Sequence, residues 1–247
     1  MSLIDTHAHL DLLEEDVGEV LAKAEAAGVS GVIAVGIDLE SSRKAIEFAN
    51  RFEQVHAVIG VHPHDASKLD AAGLRELKQL AGDPRVVGIG ETGLDFYRNR
   101  SPRDDQETAF RAQVALAREL SLPLVVHDRD AHSDTMRILE EYQPFDNGLV
   151  LHCFSGDLEM ALACIEMGAY ISVAGPVTFN NARALQALVK ELPLQRMLVE
   201  TDCPFLSPHP FRGKPNSPQR LVLIAQKVAE LKGIPLDELS LPNPFYG

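Results

Sequence analysis

Short apolar runs recur along this chain, each followed by a stretch with helical spacing, and that alternation constrains the fold more than any other feature. The first run, Leu3-Ile4-Asp5-Thr6-His7-Ala8-His9, reads as a strand. After it, Val17, Val20, Leu21, Ala24 and Ala27 keep helical spacing over 15–28, with Gly28 placed to terminate the helix. Gly31 to Gly36 is too densely apolar for a half-exposed strand and suits a parallel strand buried on both faces. The alternation continues with a helix at 41–52, strand 57–61, helix 71–80, strand 86–90, helix 103–120 and strand 124–126. A helix through Met136, Ile138 and Leu139 follows, then strand 149–151, helix 158–167, strand 170–173, helix 182–192, strand 197–199 and helix 221–231. Eight such units predict an α/β fold, a single (β/α)8 TIM-like barrel over 1–247, rather than an open doubly wound sheet.

Composition removes several classes of function. No linker, charge block or low-complexity tract divides the chain, and no stretch approaches the roughly 20 apolar residues that span a bilayer. The start lacks the basic and apolar segments of a signal peptide. Cys153, Cys164 and Cys203 are odd in number and form no CxxC pair, so a disulfide framework and a thiolate zinc site are both disfavoured, and a cytoplasmic location is expected. A net charge of -13 argues against a broad basic surface for duplex nucleic acid, but it is compatible with a local site where bound metals supply positive charge. No obligate protein partner is evident.

The ends of the expected strands carry the chemistry. His7 and His9 close the first, His62-Pro63-His64 the third, Glu91 the fourth, His127 the fifth, His152 the sixth, and Glu200 and Asp202 the eighth. In a barrel the carboxyl ends of all strands meet on one face, where active sites are built. Asp5, His7 and His9 share a strand face by the two-residue period. His56 lies at the far end of its strand, His209 in a Pro-rich loop, and His132 at a helix start facing solvent. Alternation turns Cys153 and Cys203 away from the ligand side, which makes them packing residues. Asp128 and Asp157 suit helix N-caps.

Four imidazoles and two carboxylates exceed the three protein ligands of a typical single catalytic zinc. One carboxylate can bridge two ions about 3.5–4 Å apart. Glu91 on the central strand is the expected bridge, with His7, His9 and Asp202 completing one site and His127 and His152 the other. Two divalent ions per subunit are therefore expected, with Zn, Mn, Mg, Co and Ni all compatible with these donors.

Five stretches also resemble the TatD-type metal-dependent deoxyribonucleases of the amidohydrolase superfamily. They are Asp5-Thr6-His7-Ala8-His9, Gly60-Val61-His62-Pro63-His64, Gly90 to Tyr97, His152-Cys153-Phe154-Ser155-Gly156, and Glu200-Thr201-Asp202-Cys203-Pro204 followed by Arg212-Gly213-Lys214-Pro215-Asn216. The resemblance implies a TIM-like barrel, two divalent ions and hydrolysis of phosphodiester bonds in DNA. It places metal ligands at His7, His9, Glu91, His127, His152 and Asp202, the six already selected from strand ends. It separates this chain from relatives that bridge the metals through a carboxylated lysine, since Glu91 stands at that place. Proteins of this kind usually continue past Asp237 into a further helix; here Pro242 and Pro244 oppose one.

The activity expected is hydrolysis at single-stranded or frayed DNA ends by metal-activated water, with Asp202 as proton acceptor and Glu91 holding both ions. Asp5 and Glu200 are candidates for orienting the imidazoles or for ordinary buried hydrogen bonding. His62, Arg212 and Lys214 are the expected phosphate contacts. Phe205 and Phe211 suit loop anchoring better than base stacking. A metallohydrolase acting on a small amide, lactone or phosphoester is the nearest rival, and a non-catalytic metal-binding interaction protein is the rival from another class.

Overall fold

The computed structural model describes residues 2–239 and Phe245. Among the described residues eight parallel strands alternate with eight α-helices, and the strands neighbour one another in chain order from the first to the eighth. They are β1 (Leu3–Ala8), β2 (Val29–Val35), β3 (Val55–Ile59), β4 (Val86–Asp95), β5 (Leu124–Arg129), β6 (Leu149–Leu151), β7 (Ala169–Val173) and β8 (Met197–Val199). The helices are α1 (Val17–Ala26), α2 (Leu39–Arg51), α3 (Ala71–Leu80), α4 (Arg103–Leu120), α5 (His132–Tyr142), α6 (Leu158–Glu166), α7 (Arg183–Glu191) and α8 (Leu221–Lys232). Just past β8 the ring closes on β1: Asp202 N–H donates to His7 O and His9 N–H to Cys203 O, both at 2.9 Å. The architecture is a (β/α)8 barrel.

Local chemistry sets the helix ends within a residue or two of the expected limits. Asp16 starts α1 by accepting from Glu19 N–H, Asp38 and Ser41 form a capping box on α2, and Asp157 caps α6. Asp128 does not cap α5; its carboxylate instead meets His132 Nδ1 at 2.8 Å, and Ala131 occupies the cap position.

One strand departs from expectation. β4 runs five residues beyond Gly90, and its pairing with β5 shifts register between Ile89 and Thr92, so Glu91 sits at an irregularity inside a strand rather than at its end. Such irregularities re-aim side chains. Two glycines make the extension readable only in three dimensions. A Cβ on Gly90 (φ +142°) would collide with Val125 O of β5, and one on Gly93 (φ +137°) with His127 O.

Side chains of alternate parity fill the barrel interior. Ile33, Val35, Val58, Val125, Val150 and Leu198 form a separate buried cluster with Phe245. Continuing that parity upward by two or four residues gives His62 above Val58, His127 above Val125, His152 above Val150, and Glu200 and Asp202 above Leu198. The apolar interior thus becomes a polar site at its upper end. Phe245 lies in the segment expected to depart from its relatives; residues 240–244, 246 and 247 of that segment lie outside the described residues.

Candidate metal centre

Glu91 is the centre of the site, and its two carboxylate oxygens face different histidines. Oε2 lies 3.2 Å from His7 Nε2 and 3.7 Å from His9 Nε2. Oε1 lies 2.7 Å from His127 Nδ1, 2.9 Å from His152 Nε2 and 3.5 Å from His62 Nε2. Asp202 joins the first side, with Oδ1 3.3 Å from His9 Nε2 and 3.9 Å from His7 Nε2. All six expected ligands therefore converge. Ligand atoms of His7, His9 and Glu91 lie within 4.8 Å of one another, as do those of His7, His152 and Asp202, and those of His62, Glu91 and His127.

The imidazoles are aimed by groups behind them. His9 Nδ1 lies 3.1 Å from Val35 O, which fixes a proton there and turns Nε2 toward Glu91 and Asp202. His152 Nδ1 lies 3.1 Å from Glu200 Oε1, leaving Nε2 toward Glu91. Glu200 also accepts from Cys153 N–H at 2.7 Å and from Ser172 Oγ at 2.6 Å. Asp5 differs: it accepts from Thr201 N–H and the His7 backbone N–H, so it ties β1 to the segment after β8 and touches no imidazole nitrogen. Such outer contacts raise ligand basicity and hold ring orientation.

His7 tests whether the residues fit a cation. It is fully buried, yet among the described residues neither ring nitrogen makes a hydrogen bond, and the same holds for His127 Nε2, which lies 3.4 Å from Asp95 Oδ2 out of alignment. Buried polar atoms are almost always partnered. An imidazole without a hydrogen-bonding partner, stacked 4.0 Å from a second imidazole and set between two carboxylates, is a donor set that suits a divalent cation.

Charges inside the site are strongly coupled. Burial opposes ionisation of Glu91, but His152, His62 and His7 overcome it and hold the carboxyl well below its ordinary range. Burial likewise opposes charge on Asp202, and His9 and His152 hold it low. Against its own burial, His9 is pushed up to about 9 by Asp202 and Glu91. His62 goes the other way: burial holds it well below the usual imidazole range, so it is neutral. Its Nδ1 accepts from His64 N–H at 3.1 Å, so the neutral ring carries its proton on Nε2 and presents a donor to the site.

Above these groups opens a cavity of about 900 Å³ lined by His62, Phe205, Arg212 and Lys214. Phe205 is half exposed at this mouth, whereas Phe211 lies under the Arg220 guanidinium, 4.3 Å from its ring centre. Cys153 also lines the cavity, contrary to expectation. β6 ends at Leu151 and Cys153 adopts φ +43°, so strand alternation no longer governs it; Cys203, fully buried, is a packing residue.

Several contributors escaped the sequence reading. Gln113 of α4 accepts from Val61 N–H at 2.7 Å and donates to Thr92 Oγ1 at 2.7 Å, pinning the backbone beside His62 and Glu91. Gln106, seven residues earlier on the same buried face, accepts from Asp95 N–H. Two buried amides at helical spacing on an apolar face were the available signal. Asp95 pairs with His64 Nε2 at 2.8 Å and lies beside His127. It was hidden by the apparent end of the strand at Gly90.

A barrel with a half-open cluster of imidazoles and carboxylates at its carboxyl end defines a class, the metal-dependent hydrolases. The particular family is equally plain. The TatD related DNase family matches residues 4–241. An uncharacterized metal-dependent hydrolase of Bacillus subtilis, YabD, is 43% identical over 96% of this chain and 94% of its own length. The 3′-5′ ssDNA/RNA exonuclease TatD of Shigella flexneri is 40% identical over 89% of this chain and 86% of its own. The crystal structure of the Escherichia coli TatD homologue YJJV superposes with a TM-score of 0.89 at 30% identity, covering 96% and 93% of the two chains. This chain belongs to the TatD family and is a metal-dependent hydrolase acting on ester bonds.

Proposed function

We propose that this chain, acting as one catalytic barrel over residues 1–247, hydrolyses phosphodiester bonds at single-stranded or frayed DNA ends. Two divalent ions, drawn from Zn, Mn, Mg, Co and Ni, would be held by His7, His9 and Asp202 on one side and by His127 and His152 on the other, with Glu91 available to both. The single observation that carries this reading is the division of Glu91, one oxygen facing His7 and His9 and the other His127 and His152. Such ions, when bound, lower the pKa of water and offset charge building on a phosphate.

The chain's own groups do the remaining work. Asp202, whose Oδ1 lies 3.3 Å from His9 Nε2, accepts the proton of the attacking water. Neutral His62 donates from Nε2 to a non-bridging phosphate oxygen, where a fixed donor counts most as negative charge grows. Arg212 and Lys214 hold the adjoining phosphate, Arg212 being steadied 4.6 Å above the Phe179 ring. A concave mouth on a protein of net charge -13 suits one flexible end better than a duplex interior. The relative named a ssDNA/RNA exonuclease supports the same substrate class. Three free cysteines support a cytoplasmic setting, and among the described residues no helix is long and apolar enough to cross a membrane.

Labelled single strands, blunt duplexes and closed circles, incubated with each metal, test the proposal. Single strands should be degraded fastest. Rapid nicking of closed circles would overturn the pocket argument, and turnover of a small lactone or ester without cleavage of any nucleic acid would favour the rival hydrolase.

A further inference from the structure

The cavity has a second basic side that the roles above leave unused. Arg98, Arg100 and Arg129 line it, from the turn after β4 and the last residue of β5. β4 and β5 stand across the ring from β8, so these three cations face Arg212 and Lys214 over the metal centre. On the outer helices long cations meet carboxylates, as Arg111 and Arg137 meet Glu107. Among the described residues Arg98, Arg100 and Arg129 make no such pair, so their guanidinium groups remain available to a ligand in the cavity, which Asp95 and Asp128 also line.

The wall is rigid. Arg98 N–H donates to Asp95 Oδ1 at 2.6 Å, Gln106 Nε2 donates to Ser101 O at 2.8 Å, and Phe96 N–H donates to Arg129 O at 2.9 Å. The turn and the end of β5 are thus one body, anchored on the same Asp95 that borders His127. The Arg129 guanidinium lies 4.2 Å from the centre of the exposed Tyr97 ring, as Arg212 lies 4.6 Å from that of Phe179. Each side of the mouth therefore carries an arginine steadied on an aromatic ring.

We propose that Arg129, supported by Tyr97 and flanked by Arg98 and Arg100, forms a second wall that binds the single DNA strand on the side of the scissile bond opposite Arg212 and Lys214. The inference rests on the nuclease reading and adds to it the path of the strand. Guanidinium planes accept both phosphate oxygens and stacked bases, which suits a flexible strand whose bases are unpaired. Arginine also keeps its charge at any working pH.

The test compares metal-loaded wild type with the combined Arg98→Gln, Arg100→Gln, Arg129→Gln variant on two substrates, a twelve-residue thymidine strand and the dinucleotide dTpdT. Arg51→Gln, Arg75→Gln, Arg137→Gln removes equal charge from α2, α3 and α5 and serves as control. Loss of the wall should raise KM for the twelve-mer roughly tenfold more than for dTpdT, since only the longer strand reaches the rim. It should also flatten the dependence of log affinity on log salt by about 2, at about 0.7 per lost phosphate contact. An equal rise for both substrates, or a salt slope matching the control, would overturn the wall. Binding of a phosphorothioate twelve-mer separates this idea from the nuclease reading. If wild type binds it, the variant binds it weakly and no nucleic acid is cleaved, the wall stands and the nuclease reading falls. If wild type does not bind it, the wall falls.

Discussion

Glu200 never faces the substrate, yet its replacement gives the sharpest test of how the site is built. Its carboxylate is the acceptor for three buried donors: Cys153 N–H at 2.7 Å, Ser172 O–H at 2.6 Å and His152 Nδ1–H at 3.1 Å. Glu200→Ala strands all three, and at about 1–3 kcal/mol per buried unpaired donor the cost is about 3–9 kcal/mol, comparable with the whole stability of a domain. That variant reports on folding. Glu200→Gln is the informative change, because the amide oxygen still accepts from Cys153 and His152 while its NH2 group donates to Ser172, whose hydroxyl reverses. The fold should survive. What changes is that the His152 proton now meets a neutral acceptor, which weakens Nε2 as a ligand. Losing an outer-shell partner of this kind typically costs 10–100-fold in metal affinity, about 1.4–2.7 kcal/mol. Competition against a chelator of known affinity would measure it, with a thermal melt of each metal-free protein as control. Unchanged affinity for every bound ion in a well-folded Glu200→Gln protein would refute the claim that Glu200 acts through His152.

Three other outcomes follow from the same geometry. Chelation should abolish activity while leaving the circular dichroism spectrum nearly unchanged, since the core is carried by the barrel and the ligands decorate its rim; strong turnover in a verified metal-free sample would contradict this. His62→Ala removes one donor to developing charge and should lower kcat about 10²–10³-fold, whereas Glu91→Gln should cost more because both halves of the site share that carboxylate; the reverse order of steady-state rates would dismiss the bridging role. Metal loading should release protons at pH 7, because His9, pushed up to about 9 against its burial by Asp202 and Glu91, holds a proton that a cation must displace. Apparent affinity should therefore rise with pH until the solution passes that value, and calorimetry in buffers of different ionisation enthalpy would detect the protons; affinity flat from pH 6 to 8 would rule the displacement out.

The barrel was legible because each strand is buried on both faces, which writes a dense apolar run into the chain at nearly every repeat. Helix limits followed from caps such as Asp16 and Asp38, whose short polar side chains satisfy the first free N–H groups. The convergence of His7, His9, Glu91, His127, His152 and Asp202 was legible once strand ends were assumed to meet. β4 beyond Gly90 was not, because Gly93 resembles a turn residue until the carbonyl of His127 is brought against it. That missed extension hid the place of Asp95 beside His64 and His127. Cys153 was misassigned because a two-residue period was carried past Leu151, where the backbone leaves the strand. Long-range contacts decide all of these, and local patterning carries no record of them.

Gly90 and Gly93 bracket the shared carboxylate, and the backbone of β5 leaves no room for a side chain at either place. Gly60 is closed off in the same way, with an added Cβ falling 2.7 Å from the Gly90 carbonyl carbon. A saturation library across β3 and β4 should then show three intolerant positions that never meet substrate, as unforgiving as Glu91 itself. Selection for a new substrate has little purchase on this stretch. Variation that survives is channelled outward to the rim turns, where Tyr97, Arg98, Arg100 and Phe205 are exposed and under no such steric limit. The steric lock on one strand thereby sets the direction in which this barrel can diversify.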